Sequence, residues 1–414
     1  MTPLQAISLI LSICAVGAYA NQRLFRWPAP LALTLLGLSA ALLLQGAHAL
    51  NLIDIGVVER LLLNMDFPNL LLHGILGLML FAGALFVDVT ALRQWWRSIA
   101  RLATLGVLIS AVATAGMVWL AAKHFQLDLP FIWCLLFGAL IAPTDPIAAM
   151  AIVRKAGAPK AMEIKLVGES LFNDGTAVVL FLVVLGVLQT GQVQPLHLAR
   201  EILVSPMGGA LVGGGLAWVA TYAISKVDHH PTELLLTIAL ATGSYAVAEG
   251  LHVSAPIAAV VAGLVVGHVG RLRAMSAQTR QHIDAFWEGI DELLNAGLFA
   301  VIGLQLLVLQ IDLLLFIVGA ILWVVVLVGR WIGVEGALLG ERTGFGHGAT
   351  TTVLVWGGLR GGISLALALS LPQGPQADML VAITFVVVAL SSVCQGLTLG
   401  VVVERFVGKA EASS

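Results

Sequence analysis

Charged residues are scarce in this sequence: Asp, Glu, Lys and Arg account for 11% of its 414 residues, whereas apolar residues account for 59%. Soluble domains carry roughly 25% charged residues, so this composition excludes a soluble protein and indicates a chain embedded in a lipid bilayer. The formal net charge of -2 implies no basic face, which excludes nucleic acid as a partner. Only three cysteines occur, each alone in an apolar stretch, and this excludes both a disulfide framework and a cysteine-ligated zinc site.

Apolar stretches fill most of the chain, and the connections between them are short and charged. A helix needs roughly 20 residues to cross the hydrocarbon core of a bilayer, and about thirteen stretches approach that length. We therefore predict an all-α polytopic membrane protein in which residues 1–414 form a single transporter domain. The predicted membrane-spanning segments, numbered 1 to 13 in chain order, are 4–20, 28–47, 69–87, 98–122, 129–153, 164–190, 201–225, 232–250, 254–269, 284–309, 313–340, 348–371 and 378–403.

The distribution of Lys and Arg predicts how the chain lies across the membrane. Sixteen of the 21 basic residues fall on one side of the thirteen segments, three fall on the other side, and Arg330 and Arg360 lie within segments. Basic residues accumulate on the cytoplasmic side of membrane proteins. The sequence therefore predicts a multi-pass protein of the cell membrane with its N-terminus outside and its C-terminus in the cytoplasm.

Segment 6 contains a polar cluster, Glu169-Ser-Leu-Phe-Asn-Asp174, that is unusual within a membrane span. A charged group in a span costs roughly 2.5–3.5 kcal/mol on insertion scales, so such groups are retained when they bind an ion, carry a proton or pair with another charge. Ser170 and Asp174 share one helix face and offer hard oxygen ligands for a small cation. Glu169 and Asn173 share the neighbouring face. Polar contact between helices would explain Ser170 and Asn173 but not two acids.

Two further segments are interrupted near their middle. Segment 5 contains Ala142-Pro-Thr-Asp-Pro146, in which two prolines flank Thr144 and Asp145, and a proline frees a carbonyl four residues earlier. Segment 12 contains Trp356-Gly-Gly-Leu-Arg-Gly-Gly362, in which four glycines surround Arg360. The simpler alternatives are a proline kink with a snorkelling acid and glycine packing around a snorkelling arginine. Interrupted helices at matching positions in two halves are typical of inverted-repeat transporters, whose site lies where the two helices cross.

Two other polar features need partners or a role. Arg330 lies in the middle of segment 11, where an unpaired guanidinium would be very costly. We predict Glu169 as its partner, with Glu335 on the same helix as the less favourable alternative. The acids of Phe286-Trp-Glu-Gly-Ile-Asp-Glu292 open segment 10, where they are expected only to favour a helix N-terminus.

At these motifs the sequence resembles the bacterial NhaP-type sodium/proton antiporters, in the branch of cation/proton antiporters that includes the animal sodium/proton exchangers. The matching motifs lie in order over about residues 70–370. They are Leu80-Phe-Ala-Gly-Ala-Leu85, Pro143-Thr-Asp-Pro146, Lys155-Ala-Gly-Ala-Pro-Lys160, Gly168-Glu-Ser-Leu-Phe-Asn-Asp174, Leu251-His-Val-Ser254, Phe286-Trp-Glu288 and Trp356-Gly-Gly-Leu-Arg-Gly-Gly362. One position departs from the family, because some members have a glutamate where this chain has Ala82.

The resemblance implies an ion-binding core domain, placed at about residues 98–190 and 313–403, and a second domain at about 4–87 and 201–309 that forms a homodimer. It implies that Asp174 takes either the proton or the cation, and that an Asn173–Asp174 pair accompanies electroneutral exchange. The residues implied to line the Na+ site are Thr144, Asp145, Ser170 and Asp174. The residues expected to support the site are Glu169, Asn173, Arg330 and Arg360.

The function expected from these observations is secondary antiport. The chain would exchange Na+, and also Li+, for H+ by alternating access, with one ion for one proton, no cofactor and no enzymatic step. Its partners would be the two ions, the lipid bilayer and a second copy of the chain. A K+/H+ antiporter of the same fold is the alternative, because oxygen ligands alone do not select ion size. A cation channel or an ion sensor is more remote, because the sequence shows neither repeated filter segments nor a cytoplasmic domain.

Overall fold

The computed structural model describes residues 3–25, 27–50, 52, 56, 66–124, 129–192, 200–271, 274–309, 311–341 and 346–411. Regular structure within these ranges is helical throughout, with no strand, and this confirms the predicted all-α class. Four basic residues used to predict the orientation of the chain, Arg26, Arg60, Arg273 and Arg342, lie outside the described residues.

Helices lie at each of the thirteen predicted segments, and segments 5 and 12 each consist of two helices. In chain order they are α1 (Pro3–Ala20), α2 (Ala29–Ala49), α3 (Phe67–Leu85), α4 (Trp96–His124), α5 (Phe131–Leu140), α6 (Pro146–Lys155), α7 (Lys160–Thr190), α8 (Arg200–Ile224), α9 (His230–Gly250), α10 (Ala255–Gly270), α11 (Ala277–Leu307), α12 (Leu313–Leu338), α13 (His347–Trp356), α14 (Gly362–Leu369) and α15 (Pro375–Phe406). Within the described ranges, eight helices are long and apolar enough to cross a membrane. The total of thirteen spans stays a prediction.

The start of α11 corrects one expectation from the sequence. This helix begins at Ala277 rather than at residue 284, because the side chain of Ser276 accepts a hydrogen bond from the backbone N–H of Thr279 and caps the helix. The acids of Phe286–Glu292 therefore lie about three to four turns inside the helix. A role at a helix N-terminus is excluded for them.

Two groups of helices show close packing, and the division of the chain into two domains stays a prediction. In one group, α4 packs against α5 and α12, and α12 packs against α15. The contact between α4 and α5 is so close that a Cβ atom at Gly138 would collide with the carbonyl oxygen of Ala111, as is common where small residues join membrane helices. In the other group, α2 packs against α11, and α10 packs against α3, α8 and α9.

A buried ion pair joins α7 and α12. Nη1 and Nη2 of Arg330 lie 2.5 and 2.6 Å from the two carboxylate oxygens of Glu169, and both residues are at most 2% exposed. Nη2 also donates to the carbonyl oxygen of Leu354 at 3.3 Å. Glu335, the alternative partner, instead lies 2.7 Å from Nε2 of His347. The bidentate geometry matches the fork of the guanidinium to the carboxylate.

Removing one partner of this pair should destabilise the protein, because the other charge is then stranded in the interior. We expect Glu169→Gln and Arg330→Ala each to lower the free energy of unfolding by about 3–5 kcal/mol. The double variant should lose less than the sum of the two. Thermal unfolding of the detergent-solubilised proteins in a double-mutant cycle measures this, and strictly additive losses would show that the two side chains are not coupled.

The ion pair between Arg154 and Glu163 provides a matched control. Nε of Arg154 lies 3.4 Å from Oε2 of Glu163, and the Arg154 side chain is 63% exposed. Solvent screens such a pair, which contributes about 0–1 kcal/mol. Arg154→Ala and Glu163→Gln should therefore leave thermal stability almost unchanged under the same conditions.

Candidate ion site at two interrupted helices

The interruption between α5 and α6 lies against the interruption between α13 and α14, and each supplies hydrogen bonds that the other lacks. Pro146 has no backbone N–H, so the carbonyl of Ala142 is left without its helical donor. Nη1 of Arg360 donates to that carbonyl oxygen at 2.7 Å. In the other direction, the backbone N–H of Asp145 donates to the carbonyl oxygen of Leu359 at 2.7 Å. These non-helical backbone groups thus form hydrogen bonds within the protein, which is necessary because the lipid offers none.

Glycine at position 361 permits this close approach. A Cβ atom at Gly361 would lie 3.1 Å from Cβ of Asp145 and 3.3 Å from its Oδ2. A larger residue would press against the carboxylate and displace it. The interruption between α13 and α14, called the second interruption below, therefore helps to set the position of the Asp145 side chain.

Helix α15 supports the second interruption through side chains that sequence analysis missed. The backbone N–H of Arg360 donates to Oγ of Ser391 at 2.9 Å, and Oγ of Ser391 donates to Oε1 of Gln395 at 2.6 Å. Nε2 of Gln395 in turn donates to the carbonyl oxygen of Trp356 at 2.9 Å. The sequence could have indicated these two side chains, because Ser391 and Gln395 are polar, four residues apart in a largely apolar segment, and so share a helix face.

Asn173 connects the Glu169–Arg330 pair to the first interruption, which is the one between α5 and α6. Its Nδ2 donates to Oγ1 of Thr144 at 2.6 Å and to Oε1 of Glu169 at 3.2 Å. Oγ of Ser170 lies 2.8 Å from the same Thr144 hydroxyl. All these side chains are buried, so one hydrogen-bonded chain runs from the guanidinium in α12 to the two hydroxyl groups.

Asp174 lies beside this hydrogen-bonded chain and reaches a cleft. The residue is 4% exposed, and its carboxylate lies near the backbone N–H of Thr144. Oδ1 has no hydrogen-bond partner among the described residues. With Asp145, Asp174 lines a cleft of about 560 Å³, its open mouth included. A buried carboxylate oxygen without a donor is a ready acceptor for a proton or a cation.

Asp145 also lines a second and smaller cleft, and it is the one residue common to the linings of the two. Different helices enclose the second cleft, including α2 through Leu31 and α6 through Ile152. Adjacent residues of α11 contribute to opposite clefts: Leu298 lines the larger one and Phe299 lines the smaller one. Asp145 therefore borders two separate clefts.

Among the five charged side chains of the site, with all of them ionised, one negative charge is in excess. The carboxylates of Asp145, Glu169 and Asp174 number three, and the guanidinium groups of Arg330 and Arg360 number two. In the part of the chain that the structure describes, no cluster of three or more His, Cys, Asp or Glu could hold a metal ion. The arrangement suits one monovalent cation or one proton, either of which cancels the excess charge.

The structure brings together every residue that the sequence predicts for the site, namely Thr144, Asp145, Glu169, Ser170, Asn173, Asp174, Arg330 and Arg360. Ala82, where some family members have a glutamate, lies outside the site. It is fully buried in an apolar cluster with Leu240 and Trp287, and it lines neither of the two clefts.

The chain is similar to curated antiporters over almost its whole length. It is 42% identical to the Na+/H+ antiporter NhaP of Pseudomonas aeruginosa over 409 residues, which are 97% of this chain and 96% of that protein. It is 34% identical to the Na+/H+ antiporter NhaH of Halobacillus dabanensis over 407 residues, or 96% of each protein.

A solved structure shows the same fold. The sodium proton antiporter MjNhaP1 from Methanocaldococcus jannaschii superposes with a TM-score of 0.75 at 22% sequence identity, covering 99% of this chain and 100% of that one. The family described as sodium/hydrogen exchanger, transmembrane, matches residues 9–405. The chain therefore belongs to the transmembrane sodium/hydrogen exchanger family, which consists of transporters and not of enzymes.

Proposed function

We propose that this protein exchanges Na+, and also Li+, for H+ across the membrane without a cofactor. The observation that carries the proposal is the Asp174 carboxylate, which is buried, lines a cleft and has one oxygen without a donor among the described residues. Relatives named as Na+/H+ antiporters support Na+ as the ion. Exchange at a single carboxylate consists of proton transfer and cation binding, with no hydrolysis and no change of oxidation state, so it needs only the two ions.

Competition at Asp174 couples the two ions. The carboxylate holds a proton or a cation but not both. When the proton leaves, Asp145 and the hydroxyl groups of Thr144 and Ser170 complete a set of hard oxygen ligands for a dehydrated Na+. The two hydroxyl oxygens lie 2.8 Å apart, which lets one small ion contact both.

Alternating access follows from the charge of the site. Either ion cancels the one excess negative charge, which lowers the cost of moving the core domain, residues 98–190 and 313–403, through an apolar environment. The core moves against the domain of residues 4–87 and 201–309, which also joins two copies of the chain into a homodimer. The N-terminus lies outside and the C-terminus lies in the cytoplasm. Because the exchanger moves protons across the cell membrane, it contributes to pH homeostasis of the cell.

Exchange is electroneutral in this account. Asn173 donates hydrogen bonds to both Glu169 and Thr144, which a carboxylate at this position could not do. Asn173 therefore adds no second titrating group beside Asp174. Asp145 stays ionised next to the open backbone and the bound cation, so one monovalent cation replaces one proton.

Replacing Asp174 should abolish exchange while the protein still folds. Asp174→Asn keeps the size of the side chain, and Asp174→Ala removes it, but neither can alternate between a proton and a cation. Proteoliposomes with an internal pH-sensitive dye, given Na+, Li+ or K+ in parallel, measure this. We expect Na+ and Li+ to drive proton flux in the native protein and K+ to drive little.

Asp378→Asn is the matched control, because Asp378 is an exposed acid in the first turn of α15, and its exchange should match that of the native protein. Near-native proton flux in Asp174→Asn would overturn the one-carboxylate mechanism. If K+ alone drives proton flux, the one-carboxylate mechanism stands, but the transported cation is K+ and not Na+.

Transport should not respond to membrane voltage. Because one positive charge moves in each direction, a K+/valinomycin potential imposed at a fixed pH gradient should leave the rate of Na+-driven proton flux unchanged. A voltage-sensitive dye confirms that the potential is present. A rate that follows the potential would mean that Asp145 also cycles its proton.

A further inference from the structure

One exposed face of α4 is basic at the start of the helix and mostly apolar further along. Arg97 and Arg101, which are one helical turn apart, are both exposed. Further along the same face, the exposed residues are Thr104, Leu105, Leu108 and Val112. Because α4 is long and apolar enough to cross a membrane, this face presents two guanidinium groups at one membrane surface and apolar side chains to the lipid beneath them.

The opposite side of this stretch is fixed to neighbouring parts of the chain. Nζ of Lys165 on α7 lies 4.3 Å from the ring centre of Trp95, and it donates to Oε1 of Glu341 at 3.0 Å. Oγ of Ser98 donates to the same carboxylate oxygen. Lys165 and Ser98 are both buried. These contacts hold the start of α4 in one orientation, in which its two arginines face outwards.

The two arginines have no acidic partner in the part of the chain that the structure describes. None of the ion pairs there includes Arg97 or Arg101. Glu341 is already paired with the buried lysine, and the side chain of Asp88 caps the short helix Val89–Gln94. Like charges one turn apart on a helix repel each other, so an anion from outside the chain would stabilise this arrangement.

Neighbouring side chains indicate that the arginines lie at the level of the lipid head groups. Trp96 is exposed, and Cζ of Arg97 lies 5.6 Å from the centre of its ring. Tryptophan is enriched where the hydrocarbon core of a membrane meets water. Arg93, on the short helix before α4, adds a third exposed positive charge. In the predicted orientation this end of α4 is cytoplasmic, and anionic lipids of the cytoplasmic leaflet attract basic residues beside the membrane.

We propose that Arg97 and Arg101 bind the phosphate of an anionic phospholipid in the cytoplasmic leaflet, whose acyl chains lie along Leu105, Leu108 and Val112. Side chains one turn apart on a helix have their Cβ atoms about 5–6 Å apart, so both guanidinium groups can reach one phosphate and form charge-assisted hydrogen bonds with its oxygens. A phospholipid contacts both parts of this face, whereas a soluble phosphate contacts only the arginines. The lipid site lies outside the ion site and does not depend on the proposed exchange.

Lipid titrations of the delipidated protein in neutral detergent test this site. The melting temperature is followed as phosphatidylglycerol or, in parallel, phosphatidylcholine with the same acyl chains is added. We expect phosphatidylglycerol to raise the melting temperature at the lower concentration, because only this lipid carries a net negative charge. A basic residue beside an anionic surface strengthens binding about fivefold, so Arg97→Gln/Arg101→Gln should need about 25-fold more phosphatidylglycerol for the same rise. Arg97→Lys/Arg101→Lys, which keeps both charges, should need less than about fivefold more.

Lys155→Gln/Lys160→Gln is the matched control, because it removes two exposed positive charges on the same predicted side of the membrane. Helix α7, which begins at Lys160, has no exposed residue from 161 to 181, so no lipid-facing stripe continues from these lysines. This variant should bind phosphatidylglycerol as the native protein does. An equal loss of binding in this control would overturn the site, as would native phosphatidylglycerol binding in Arg97→Gln/Arg101→Gln.

Two other results would assign the exposed face of α4 to a different ligand and overturn the lipid site. The first is a rise in melting temperature with glycerol phosphate, which has no acyl chains, at concentrations as low as those of phosphatidylglycerol. The second is a change of oligomeric mass in Arg97→Gln/Arg101→Gln, measured by light scattering, which would mean that a second copy of the chain covers this face. If the double variant does not fold, the single variants Arg97→Gln and Arg101→Gln decide, each with an expected loss of about fivefold.

Discussion

Backbone groups that lose their helical partners inside a membrane must find new ones within the protein, and this constraint organises the whole site. Pro146 leaves the carbonyl of Ala142 without a donor, and Arg360 supplies that donor from the other interruption. Asp145 returns a backbone hydrogen bond to Leu359. Neither interruption is satisfied without the other, so the two unwound stretches are held at a fixed distance. Carboxylates that project from them acquire defined positions although they lie outside regular helix.

The same region balances its charges through a structural pair and a site that share hydrogen bonds. Glu169 neutralises Arg330 with bidentate geometry, and Asn173 links Glu169 to the Thr144 hydroxyl. A neutral amide is needed at this point, because a second carboxylate would face Glu169 across a few ångströms of low-dielectric interior. In the proposed mechanism, structural stability and the number of exchangeable protons would therefore both depend on the Asn173 side chain.

Local patterns in the sequence were sufficient to predict the helices, both interruptions and the residues that gather around them. Ser170 and Asp174 are recognisable because they are four residues apart on one helix. Pro146 indicates an unpaired carbonyl, because a proline within a membrane span provides no N–H for the carbonyl four residues earlier. The groups that fill such gaps were not predictable, because Arg360 reaches Ala142, and Ser391 reaches Arg360, only through the tertiary fold. The interior position of Phe286–Glu292 was missed because the start of α11 was placed at residue 284, whereas the helix begins at Ala277.

The placement of Asp145 explains how a small movement can change access. Its carboxylate borders two clefts that are lined separately by Leu298 and Phe299, adjacent residues on one continuous helix. Because successive residues of a helix point about 100° apart, α11 presents a different apolar side chain to each cleft. A displacement of the interruptions along α11 by a few ångströms would widen one cleft and narrow the other. In the proposed exchange, α11 would then act as the barrier, and the hydrogen-bonded interruptions would carry the carboxylates past it.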